Sequence, residues 1–61
     1  MAKYEIEVGS LVTVYRRRKL IIHAETEDTA IEKAIDQFWH IAEKAGWDVG
    51  GTIEVNYLLE A

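Results

Sequence analysis

The chain has 61 residues, a formal net charge of −4, and neither cysteine nor proline. That length allows one small domain over 1–61, and such a domain buries only about 60% of the surface its unfolded chain exposes. Without cysteine, no disulfide and no thiolate–zinc site can supplement the core. The composition suits a reducing compartment. No stretch approaches the ~18–20 apolar residues of a membrane span, or the apolar segment of a signal peptide, so the expectation is a cytoplasmic protein. Four of the seven basic residues, Arg16, Arg17, Arg18 and Lys19, are adjacent; the other three stand against eleven acidic residues. The result is an acidic body with one basic spot, which argues against a general nucleic-acid binder.

From Tyr4, the alternation Tyr4, Ile6, Val8, Ser10, Val12, Val14 predicts a half-buried strand, and Leu20, Ile22, Ala24 predict a second. Gly9-Ser10 is an admissible two-residue turn, but a strand from Leu11 to Ala24 would then place Arg16 and Arg18 on its apolar face. A turn within 15–18 avoids this. Val12 then opposes Leu20, Val8 opposes Ala24 and Leu11 opposes Ile21, leaving the arginines at the hairpin tip and Gly9 at a bulge or bend.

The strongest element follows. Thr26 is the expected N-cap, Glu27 and Asp28 complement the helix dipole, and Gly46 is the expected C′ residue. Ile31, Ala34, Ile35, Phe38, Ile41, Ala42 and Ala45 make one apolar stripe; Glu32, Lys33, Asp36, His40, Glu43 and Lys44 lie opposite. Trp39 sits about 100° from the stripe's centre. It suits either a core edge or an anchor at a protein interface, where Trp and Arg are enriched. Trp47 follows the cap, where a hydrophobic contact back onto the helix is usual. "GG" at 50–51 then releases a last strand with Ile53, Val55 and Tyr57 inward. The predicted fold is α+β, ββαβ, with a three-stranded antiparallel sheet in order 2-1-3 and one helix packed on one face.

One helix covers one face. The other is expected to carry Glu5, Glu7, Leu11, Thr13, Lys19, Ile21, His23, Thr52, Glu54, Asn56 and Leu58. Of these, Leu11, Ile21, His23 and Leu58 are candidates for a homodimer face, because the core is small. Catalytic patterns are absent. Asp36 and His40, four apart on a helix, could supply two metal ligands but have no third. Ser10 faces the core, and the carboxylates are dispersed. "VGG" lacks the lysine and following helix of a phosphate loop. The expectation is a protein that is not an enzyme and takes no metal or cofactor.

"YEIEV…LIIHAETEDTAIEKA", over roughly residues 4–34, resembles small proteins of phages and conjugative elements, such as the DpnD/PcfM-like family. In that family a two-stranded hairpin steps through an Ala-Glu-Ser/Thr-like segment into an acidic helix start. Beyond the helix this chain reads "GWDVGGTIEVNYL" where the family carries an acidic stretch. In size and charge it is also similar to anti-CRISPR-type inhibitors. The resemblance implies a short accessory protein that works by binding. The leading expectation is a protein-binding inhibitor or adaptor acting on a host protein such as a defence nuclease. Its contact residues would be Tyr15, Arg16, Arg17, Arg18, Lys19 and Trp39. The alternatives are nucleic-acid binding by the basic tip 15–19, with Tyr15 stacking on a base, and a structural homo-oligomer.

Overall fold

The computed structural model describes residues 2–60. Strand β1 (Ala2–Leu11) pairs antiparallel with β2 (Tyr15–Ala24) on one side and with β3 (Glu54–Glu60) on the other; helix α1 (Glu27–Ala45) lies between β2 and β3 in sequence. The sheet order is β2-β1-β3, as the sequence predicts. Both β2 and β3 are therefore edge strands.

The helix begins and ends where its capping chemistry dictates. Thr26 is extended, and its hydroxyl oxygen accepts the Thr29 N–H at 3.2 Å. At the other end Gly46 adopts φ 73°, a left-handed conformation that costs glycine nothing. Its N–H donates to the Glu43 carbonyl at 3.2 Å, while the Trp47 N–H donates to the Ala42 carbonyl at 2.9 Å. These two bonds make a Schellman motif. They return the chain so that Trp47 packs beside Phe38, with ring centroids 6.0 Å apart.

Small residues make the contact between layers. Ala30, Ala34, Phe38 and Ala42 are the buried helix positions; the first three cluster with Tyr4, Ile6, Val8, Ile22 and Ala24 of the sheet. Three alanines out of four let the helix approach the sheet closely, with the Phe38 ring filling the centre. Ile31, Ile35 and Ile41 are only half-buried, and Ala45 is exposed, so the predicted stripe is turned by part of a residue step. Ser10 is buried as expected. Its hydroxyl donates to the Thr52 carbonyl at 3.3 Å and ties the loop before β3 to β1.

Two expectations need correction. The hairpin turns at neither 9–10 nor 15–18: Leu11 faces Tyr15, and the Val12 N–H reaches the Val14 carbonyl at 3.1 Å across a turn at 12–14. Val8 thus opposes Arg18 rather than Ala24, and Ile21 opposes Glu5 rather than Leu11. Residues 15–19 are strand, not tip. In β3, the register with β1 shifts between Glu7 and Val8, which leaves Asn56 as an extra, bulged residue. The bulge lies on β3, not at Gly9. It reverses the alternation after Asn56, so Tyr57 lies on the open face and Leu58 packs against the core. Leu58 therefore leaves the predicted dimer face, and Leu59 takes its place.

Candidate protein-interaction surface

Strand β2 divides the arginine run between the two faces of the sheet. Arg16 and Arg18 share the helix side with Leu20, Ile22 and Ala24; Arg17 and Lys19 share the open side with Tyr15, Ile21 and His23. The two arginines that an apolar face would otherwise exclude lie over the Trp47 ring. Their guanidinium carbons stand 5.3 Å (Arg16) and 4.7 Å (Arg18) from its centroid. Cation–π contact of this kind contributes about 0.5–1 kcal/mol at an exposed site. Further along the strand, Lys33 reaches down from the helix and donates to the His23 carbonyl at 3.0 Å.

On the open face, Tyr15 lies across the strand beside it. A Cβ built at Gly9 would stand 2.7 Å from Tyr15 Cζ and 2.9 Å from Cε2, so glycine is required for the ring to rest there. The Tyr15 hydroxyl donates to Asn56 Oδ1 at 3.0 Å, and Asn56 Nδ2 donates to Glu7 Oε2 at 3.0 Å. Tyr57 donates to Glu5 Oε2 at 2.8 Å. Each phenol-to-amide or amide-to-carboxylate bond crosses strands, so the network links both edges through β1. The hydrogen bond to Glu5, aided by partial burial and by the Glu5 and Glu7 charges, pushes the Tyr57 phenol up to about 12. Burial, with the Glu60 and Glu27 charges, raises Tyr4 as well.

This network separates the predicted dimer residues. Leu11 (61% exposed) sits at the turn end, whereas Ile21 (50% exposed) lies in the row Ile21–Glu5–Leu59. Those rows are six positions apart along β1, about 20 Å of strand. His23 is exposed near the far end, opposite Lys3. Asp36 and His40 stand 3.6 Å apart and well exposed, and no third ligand joins them among the described residues.

Trp39 remains on the surface, 45% exposed. The 100° step of the helix, oriented by Lys33 over the β2 edge, places Ile31, Ile35 and Trp39 together on the flank toward β3. The helix body lies over β1 and β2 rather than β3. Val55 and Leu58, on the helix side of β3, are consequently only half-buried. The structure thus brings Arg16 and Arg18 together at one edge and isolates Trp39 toward the other. Sequence reasoning missed Trp47 as the arginines' partner, the Tyr15–Asn56–Glu7 and Tyr57–Glu5 bonds, and the half-covered β3 flank. For Trp47, the signal available was its place directly after the helix cap. No family model matches the chain, and no curated protein or solved structure matches it.

Proposed function

We propose that this chain is a non-enzymatic protein-binding module, an inhibitor or adaptor of the kind that phages and mobile elements direct at host proteins such as defence nucleases. The carrying observation is Trp39, a large aromatic left 45% exposed beside two half-buried isoleucines on one flank of the helix. Trp is the residue most enriched among the energetic anchors of protein interfaces. The acidic composition outside residues 16–19 suits a basic partner surface. Protein contact is favoured over nucleic acid, because Arg16 and Arg18 are spent on Trp47 and the four cations face two ways instead of forming one basic patch.

The test pairs stability with binding. Trp39→Ala should cost under about 1 kcal/mol in a denaturant melt, yet weaken a captured protein partner by at least about 2 kcal/mol. A stability loss above about 2 kcal/mol with unchanged affinity would make Trp39 a packing residue and remove the reading's basis. Binding of an oligonucleotide that falls steeply with salt, and that Arg16→Glu with Arg17→Glu abolishes, would favour the nucleic-acid alternative.

A further inference from the structure

The two edges of the sheet are treated differently, and the difference points to a mode of binding. The outer edge of β2 is guarded along its length. Residues 16–19 set cations on both faces of its first half, and Lys33 occupies the His23 carbonyl in its second. Lysine and arginine on an edge strand discourage pairing with another chain. Strand β3 has no such protection. Its sequence, EVNYLLE, has an acid at each end and five uncharged residues between, and among the described residues no strand pairs with its outer side. The bulge at Asn56 bends only its first part; residues 57–60 run in regular register with β1.

The surroundings of that edge have one sign. Asp28 and Glu32 lie on the helix flank toward β3, and Glu54 and Glu60 lie on β3 itself. The helix cations, Lys33 and Lys44, project on the β2 side. The apolar part of the flank, Ile31, Ile35 and Trp39, lies on the side of the helix toward β3, whose helix-side residues Val55 and Leu58 are half-buried.

We propose that the outer edge of β3 accepts an added strand, an extended segment of a partner protein that carries lysine or arginine toward the helix flank, where Asp28, Glu32 and Glu60 lie, and apolar residues on its other face, beside Tyr57 and Leu59. The inference rests on the protein-binding reading and specifies where and how that binding occurs. Backbone hydrogen bonds to β3 supply affinity, and alternate basic side chains of the segment lay their stems along the Ile35 and Trp39 flank with their charges at the helix-side acids. The charges select against a second copy's β3, since antiparallel pairing of two such strands would set Glu54 of one against Glu60 of the other.

The experiment titrates the isotope-labelled protein with the heptapeptide KVKVKVK and with EVEVEVE. The expected result is saturable shifts of the 57–60 amides and the Trp39 indole, with the lysine peptide at least about tenfold tighter. Glu32→Lys with Glu60→Lys, both exposed, should reverse that preference, and N-methylation of alternate peptide amides should abolish binding. Several results would overturn the proposal. These are no saturable binding up to millimolar peptide, equal affinity for the two peptides, shifts confined to β2 or the open face, or self-association that shifts β3 and excludes the peptide. If a protein partner is captured through Trp39 while the β3 amides stay unmoved by peptide and partner alike, strand addition fails and the protein-binding reading survives. Loss of both removes the two together.

Discussion

Strands β2 and β3 hold equivalent places, each pairing with β1 on one side and bordering solvent on the other. Their outer edges differ. β2 is ten residues long and carries four consecutive cations, two of them stacked on Trp47 and so fixed in position. β3 is seven residues long, uncharged along its centre and carries a bulge at Asn56. The arginine run is part of the sheet's construction: Arg16 and Arg18 cover Trp47, and cations along an edge strand disfavour added strands. The edge without that device is the one proposed for contact.

The largest expected effect is at Trp47. Trp47→Ala removes the Phe38 contact and the platform under Arg16 and Arg18. It should cost about 2–3 kcal/mol, at or just below the ~3–5 of a fully buried large aromatic, because Trp47 is half-buried. Hydrogen exchange at 16–20 should accelerate more than at 57–60; equal acceleration would mean that Trp47 supports the whole sheet and not the β2 edge.

Gly9 gives a sharper result because two principles predict opposite signs. Replacing a strand glycine with alanine ordinarily gains about 0.5–1 kcal/mol. Here the added methyl meets the Tyr15 ring, so Gly9→Ala should cost about 1–3 kcal/mol. In a Tyr15→Ala background the penalty should vanish, which a double-mutant cycle measures directly.

Replacing residues 16–19 together with threonine tests the guarding of the edge. Two cation–π contacts are lost, so stability should fall by about 1–2 kcal/mol. The decisive change is in solution behaviour: sedimentation should show stronger concentration-dependent self-association than the parent chain shows. A variant that associates no more than the parent would contradict the difference between the edges.

The smallest effect is alkaline. The Tyr57 phenol is raised in the folded chain to about 12 against about 10 when unfolded. Its contribution to stability is therefore complete below about pH 10 and is lost as pH rises through about 12. Tyr57→Phe should lower stability slightly at neutral pH and flatten this alkaline decline. A phenolate titration should lose its latest component in the same variant.

Some of this was legible because it is local. Thr26, Gly46 and the residues between them carry the helix and both its caps, and the phase of the helix put Trp39 at the stripe's edge. Strand order followed from connection rules. The hairpin register was not legible, because alternation fixes which face a residue takes and not how far one strand slides along the other. The observed pairing differs from the predicted one by an even shift, so Leu20 and Ile22 keep their face while Val8 gains Arg18 as its neighbour. What permits two arginines on an apolar face is Trp47, distant in sequence. The bulge at Asn56 was hidden for a similar reason: its side chain answers to Tyr15 and Glu7, which only the assembled sheet brings near. Trp39 could be placed from phase, but the thin cover over β3 depends on where the helix axis lies, which periodicity does not report.

The central position of β1 also sets an order of assembly. Its pairing with β2 closes across the short turn at 12–14, whereas the Tyr57–Glu5 bond joins residues 52 apart in sequence. Loop closure over the longer span costs on the order of 2 kcal/mol more chain entropy. The hairpin and helix can thus form while β3 is still free, and in that interval the second edge of β1 is bare. Refolding should then be limited by β3 docking, with Leu58 variants slowing it more than Leu20 variants of equal stability loss. Any strand offered to the chain before that step competes with β3 for its own place in the sheet.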